Sequence, residues 1–198
     1  NFYYRRMPRS PGKTDEFTEE IFEYIRYQVC YWTEVPAGKY ILDQCREIHI
    51  DIFGFSRGAG AAVRLAQLIN DRGFKCARCD SDRVFSGYPI RFLGVLDPVG
   101  SGMWTQGWGR IADVPENVQN LFARYSTDDN GDMSSIVTKL KVPAKVTSDV
   151  RREEKLDHGK LGWDPDIRRD LMFAYSKVSG AVPLNKLMRE TCGSEDKP

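Results

Sequence analysis

The chain has 198 residues, 41% of them hydrophobic and 29% charged, with a formal net charge of +1 and a pI near 7.8. That is the composition of one globular α/β-sized domain spanning residues 1–198, and the near-neutral balance removes the basic footprint that nucleic-acid binding requires. No apolar run of about 18 residues is available to span a bilayer and no segment is expected to act as a secretory leader, while the opening at Asn1 in mid-pattern suggests a fragment, or ordered segments, of a longer protein.

The first predicted element runs from Asp15 to Trp32, where Phe17, Ile21, Phe22, Ile25, Val29 and Trp32 recur at spacings of three and four. This is an amphipathic helix with Thr14 or Asp15 as its cap and a break at Val35-Pro-Ala-Gly38. Ile48 to Phe53 alternates β-branched and aromatic residues and predicts a strand. Gly54 to Gly58 is a turn, and Ala59 to Ile69 is a helix of small residues closed by Asn70 and Gly73. Lys75 to Gly87 is a polar loop. The apolar run Ile90 to Leu96 is a second, buried strand ending at Asp97-Pro-Val-Gly100. Beyond it come a Gly-rich aromatic loop, Trp104 to Trp108, a short strand, Val118 to Tyr125, and an acidic turn, Asp128 to Asp132, that lacks an EF-hand pattern. The last element is a helix, Asp166 to Lys177, with Ile167, Leu171, Met172 and Tyr175 on one face and Gly180 as its stop. Helices alternating with strands in this order imply a mainly parallel sheet with crossover helices, an α/β fold.

The five cysteines include one C-x-x-C, Cys76 and Cys79, without a second pair at zinc spacing. Reduced thiols in a loop and in the core are the expectation, with a loop disulfide or a partial metal site as the alternatives.

Gly54-Phe55-Ser56-Arg57-Gly58 is a G-x-S-x-G pentapeptide. Glycine and serine are common, so the pattern acquires meaning from its flanks: a strand runs straight in and a helix of small residues runs straight out. Such an elbow strains the serine backbone and lifts its Oγ clear of the sheet. It sets the helix N-terminus under developing negative charge and aims the backbone N–H of Arg57 at an oxyanion. Gly54 and Gly58 are needed because side chains there meet the neighbouring strand and helix. A βα turn that binds phosphate or nothing is the rival reading.

A serine nucleophile needs a base, and the chain has two histidines. His49 lies in the strand feeding the elbow, seven residues before Ser56. At about 3.3 Å per residue that is roughly 20 Å from the strand end. By elimination the base is His158, in the Gly-rich segment Leu156-Asp-His-Gly-Lys-Leu-Gly162. The acid belongs at a strand end between serine and histidine in the chain. Asp97 meets both conditions and would hold the imidazole tautomer. Its alternative role is a turn cap before Pro98.

Gly54-Phe-Ser-Arg-Gly-Ala59, the strand Arg91-Phe-Leu-Gly-Val-Leu-Asp-Pro-Val-Gly100, Val114-Pro-Glu-Asn-Val118 and the segment Asp166 to Leu184 together resemble a bacterial α/β-hydrolase family. Its members carry a GFSRGA elbow and a strand ending in D-T-V-G, and they include antibacterial phospholipases delivered by type VI secretion systems, the first class of type VI lipase effectors. The resemblance implies an α/β-hydrolase-like sheet flanked by helices, with Ser56 as nucleophile and Asp97 as acid. The family histidine opens an H-S-D-x-G-G-G loop. His158-Gly-Lys-Leu-Gly162 keeps the histidine and one glycine, whereas Thr147-Ser-Asp-Val150 resembles the same loop with threonine in its place. His158 is preferred for its distance from the following helix. The family's D-G-T tripeptide, expected near the oxyanion, has no counterpart here.

The resulting expectation is a serine ester hydrolase acting on acyl esters of phospholipids without a metal or organic cofactor. The resemblance adds a membrane surface as the place of action, a secretion-apparatus carrier, an immunity protein, and export from a bacterial cytoplasm into a target cell. Trp104 and Trp108 suit an interfacial surface or a core equally. The alternatives are a carboxylesterase, thioesterase or peptidase of the same fold, and a silent binding or delivery domain.

Overall fold

The structure is a computed structural model that describes residues 14–34, 48–75, 84–99, 113–126, 139–153 and 156–180. The expected break at Val35–Gly38, the Cys76–Cys79 pair, the Trp104–Trp108 loop, the Asp128–Asp132 turn and the Ala181–Leu184 end of the closing segment lie outside those residues.

The described elements, in chain order, are α1 (Thr14–Glu34), β1 (Ile50–Phe55), α2 (Arg57–Arg72), β2 (Phe74–Lys75), β3 (Val84–Phe85), β4 (Ile90–Leu96), β5 (Asn120–Ser126), β6 (Thr147–Glu153), α3 (His158–Leu161) and α4 (Pro165–Ser179). Four strands form one sheet in the order β1-β4-β5-β6, with every neighbouring pair parallel. β2 and β3 form a separate antiparallel pair. Helices flank the sheet, so the expected α/β arrangement is present.

Alternation along β1 decides what each face receives. Ile50 and Ile52 are buried in the larger core with α1 and α2. Phe53 turns the other way, toward Phe92 and Tyr175. α2 is buried nearly all round, from Ala59 to Ile69, and its alanines and Gly60 let it lie between the sheet and α1. α1 packs on α2 and buries Phe17, Phe22 and Val29, with Phe22 against Phe74 and Arg72 paired to Glu19.

The opposite face carries a smaller core of Phe92, Leu96, Phe122, Leu161 and Ile167, closed by α4. α4 approaches β4 at Gly94, where a Cβ would come within 2.9 Å of both Leu171 and Phe53. Asp164 caps its N-terminus, and Gly180, at φ 66°, ends it. At its far end Tyr175 donates to Asp51, which also pairs with Arg91. Burial and the Asp51 charge raise the Tyr175 phenol, and the carboxylate bond raises Arg91 against the opposing effect of burial.

Four expectations need correction. β1 begins and ends two residues later than its alternating pattern implied, because backbone pairing with β4 continues through Gly54 and Phe55. Met172 faces solvent, 48% exposed, since α4 packs on the smaller core through buried Ile167 and partly buried Leu171, Ala174 and Tyr175. Thr147–Val150, the alternative match to the family's histidine loop, is the first half of β6, a mostly exposed strand paired to β5. Cys30, in the core, is disulfide-bonded rather than reduced. An odd cysteine count alone does not reveal such a pairing.

Candidate functional site

The parallel register of β1 and β4 sets Phe55 beside Leu96. The next residue on each strand, Ser56 and Asp97, therefore emerges side by side at the carboxyl end of the sheet, where open α/β sheets hold their ligands. These are the two non-glycine residues with positive φ among the described residues, Ser56 at 56° and Asp97 at 45°. A backbone held there costs on the order of 1–3 kcal/mol and needs surroundings that enforce it.

Those surroundings are backbone hydrogen bonds and close packing. Ser56 N–H donates to Leu96 O at 2.9 Å, and Ser56 O accepts from the N–H groups of Ala59, Gly60 and Val99. Asp97 N–H donates to Arg124 O at 2.9 Å. Gly54 is what permits the bend, because a Cβ there would lie 2.3 Å from Gly58 O and 2.6 Å from Ala59 Cα. No side-chain movement relieves a backbone collision of that kind. Arg57 opens α2 directly after the serine, so its N–H belongs to the first turn, whose amide dipoles favour negative charge.

His158 reaches this pair from the far end of the chain. Its Nε2 lies 2.8 Å from Ser56 Oγ and its Nδ1 3.0 Å from Asp97 Oδ2. The Asp97 side chain is fully buried and that of His158 is 15% exposed. The second carboxylate oxygen of Asp97 accepts the Ser126 N–H at 2.6 Å, which fixes the plane of the carboxyl group. Tyr125, next along β5, accepts from Leu140 N–H. Burial lifts its phenol above the ordinary range; the Leu140 bond opposes that and the Asp97 charge adds to it.

The histidine stands on α3, a single turn. Asp157 caps it by accepting the Lys160 N–H at 2.8 Å, and Leu161 anchors it in the smaller core. The Lys160 side chain and its amide hold the Asp157 carboxyl below its usual range. Phe55 stacks on the imidazole, with ring centroids 5.1 Å apart and the planes 25° from parallel.

Every sequence-predicted residue of the array is thus brought together: Ser56, Asp97 and His158 by hydrogen bonds, and Gly54, Arg57 and Gly58 at the elbow. His49 is exposed at the opposite end of β1. Thr147 begins β6 opposite Asn120, at the amino end of the sheet. Sequence reasoning missed Phe55, Ser126, Asp157 and Leu161. Asp157 has a readable signal, a capping residue before a short turn; the contacts of the other three depend on strand register.

Chemically, a hydroxyl bonded to one imidazole nitrogen, with the other nitrogen on a buried carboxylate, is an arrangement that removes the hydroxyl proton as the oxygen attacks an electrophile. Compared with models of protein families, with curated proteins and with solved structures, the chain matches none of them.

Proposed function

We propose that this chain is a serine hydrolase of the α/β-hydrolase type that cleaves acyl esters of phospholipids. The observation that carries the hydrolase reading is the pair of bonds to His158, at 2.8 Å from Ser56 and 3.0 Å from Asp97, with the serine at positive φ before α2. Ser56 Oγ attacks the ester carbonyl while His158 Nε2 takes its proton. The carbonyl oxygen gathers negative charge toward the Arg57 N–H at the head of α2. His158 then returns the proton to the leaving alkoxide oxygen, leaving an acyl-serine. Water repeats the sequence with His158 as base, releasing the fatty acid and restoring the hydroxyl. Asp97 holds the Nδ1–H tautomer and balances the imidazolium.

The phospholipid substrate rests on the resemblance to type VI lipase effectors, as do an antibacterial role, a secretion carrier and an immunity partner. Trp163, 74% exposed and five residues beyond His158, suits work at a lipid surface, where tryptophan favours the interface. Among the described residues no helix is long and apolar enough to cross a membrane.

The test has two parts. A fluorophosphonate probe should label wild-type protein at Ser56, and Ser56→Ala should lose labelling and about 10⁴- to 10⁶-fold in kcat for ester hydrolysis while staying folded. Undiminished turnover by folded Ser56→Ala overturns the mechanism, and an unlabelled wild type leaves a silent binding domain. Phospholipid vesicles and a soluble short-chain ester are then compared with the same preparation. Turnover of the soluble ester alone sinks the phospholipid reading and leaves a general carboxylesterase. A periplasm-directed copy should harm a bacterial host only when Ser56 is intact.

A further inference from the structure

The two hydrogen bonds to His158 both lie in the plane of its ring. They fix the distance of the imidazole from Ser56 and Asp97, yet they leave it able to tip about the line joining its two partners. A contact on the ring face is needed to stop that motion, and Phe55 supplies one: the two rings lie 5.1 Å apart at 25°. Phe55 is the last residue of β1, held by its pairing to Leu96, so its backbone cannot drift.

The far edge of the Phe55 ring is also confined. A Cβ on Gly162 would fall 2.9 Å from Phe55 Cζ and 3.0 Å from both Cε atoms. Gly162 has φ −70° and ψ −17°, a conformation open to any residue. Glycine is therefore required there for room, not for backbone freedom, and what occupies the room is the phenyl ring.

We propose that Phe55 is a positioning residue for His158, its ring clamped between the imidazole face and the Gly162 backbone. The elbow then does two jobs with adjacent residues: Ser56 presents the nucleophile and Phe55 sets the tilt of the base. This rests on the serine-hydrolase reading above. It differs from ordinary core packing, because it ties the space at Gly162 to the geometry of a proton transfer. Misplacing a reacting group by about 1 Å costs kcat without weakening substrate binding.

The experiment uses the full chain and two readouts. By proton NMR at one pH, the ring protons of the two histidines are assigned with His49→Gln. The ring current of a stacked phenyl should hold the His158 protons upfield, and Phe55→Leu should release them while the His49 signals stay put. On a soluble ester, Phe55→Leu should lower kcat about tenfold with KM within about twofold, and Phe55→Tyr should restore it. Gly162→Ala should lower kcat by forcing the ring toward His158, and adding it to Phe55→Leu should cost nothing further, the non-additivity expected of residues in one contact. Unmoved His158 signals in a folded Phe55→Leu protein, or independent, additive kinetic losses, overturn the clamp. If Phe55→Leu does not fold, Gly162→Ala carries the same test, since it must shift the His158 signals and not those of His49. A wild type without esterase turnover refutes the hydrolase reading, whereas the NMR result still decides the clamp.

Discussion

Ser56 and Asp97 leave the sheet on adjacent strands, whereas His158 comes to them on one turn of helix, and the two ends of the array are held in different ways. The serine and acid backbones are strained and locked by hydrogen bonds to Leu96 and Arg124, the acid's carboxylate is held by the Ser126 N–H, and both are backed by an α2 that is buried from Ala59 to Ile69. The histidine end has one fully buried anchor, Leu161, an exposed-side cap at Asp157, and the face of Phe55. The difference assigns the tolerance of the site. Precision resides in the sheet, and under the proposed hydrolase reading any adjustment to a substrate falls on the α3 side, where fewer apolar contacts have to be broken.

The largest expected effect compares one glycine from each end. Gly54→Ala drives a Cβ to 2.3 Å from a backbone oxygen, at or beyond the roughly 3 kcal/mol upper range of overpacking costs. Gly159→Ala places its Cβ 3.4 Å from Asp157 Oδ1, an ordinary contact. Thermal unfolding should show Gly54→Ala strongly destabilised or unfolded and Gly159→Ala within about 0.5 kcal/mol of wild type. Similar melting curves for the two would erase the contrast between a rigid and a tolerant end.

In turnover rather than stability, the matching contrast is Asp97→Asn, which keeps the shape of the acid and changes only its chemistry. The Ser126 N–H retains an oxygen to donate to, so the fold should persist. The new amide N–H faces His158 Nδ1 and turns it into an acceptor, which places the ring proton on Nε2, against Ser56 Oγ. A protonated Nε2 cannot take the serine proton, and a loss of about 10⁴ in kcat follows. Unchanged melting with that loss supports the assignment; turnover near wild type removes Asp97 from the reaction.

How much of this was readable from the residues follows the same division. The serine end was legible because its constraints are local: a glycine-flanked serine, an alternating strand before it, small residues after it, and an apolar run ending in Asp97. His158 was reached only by elimination between two histidines, since nothing local says which strand end a loop will approach. β6 escapes the sequence pattern because it stands last in the sheet among the described residues and its pattern is almost wholly exposed, so it lacks the alternation that marks a half-buried strand. Its Asp149 and Glu153 carboxylates pair with Arg124, 1% exposed and lying over Phe122. A buried arginine inside the strand Asn120–Ser126 is not visible to a hydropathy pattern. The role of Phe55 was hidden for a different reason. It arises from a contact between residues 55 and 162, and in sequence Gly162 is only one glycine of a Gly-rich segment.

The smallest effect, and the one that probes the histidine end most directly, concerns Asp157. Its carboxylate accepts the Lys160 N–H and pairs with the Lys160 ammonium at 2.9 Å, and these contacts hold its folded pKa below the ordinary value. A carboxyl depressed in the folded state contributes stability above its unfolded pKa and loses it as the pH falls through the folded value. For Asp157 the loss begins below roughly pH 4, where an unperturbed aspartate takes up its proton. Asp157→Asn keeps a good cap acceptor and removes the titration. Hydrogen-exchange protection at the Lys160 and Leu161 amides should therefore fall in wild type as the pH drops through that window. The Asp157→Asn protein should lack this component, and the difference between the two isolates Asp157 from the other carboxylates. Turnover at neutral pH should stay within about twofold in Asp157→Asn and fall further in Asp157→Ala, where the amide loses its acceptor. Identical protection profiles in wild type and Asp157→Asn would mean that Asp157 does not secure the turn that carries His158. The smaller core around Leu161 would then be sufficient by itself to hold the base.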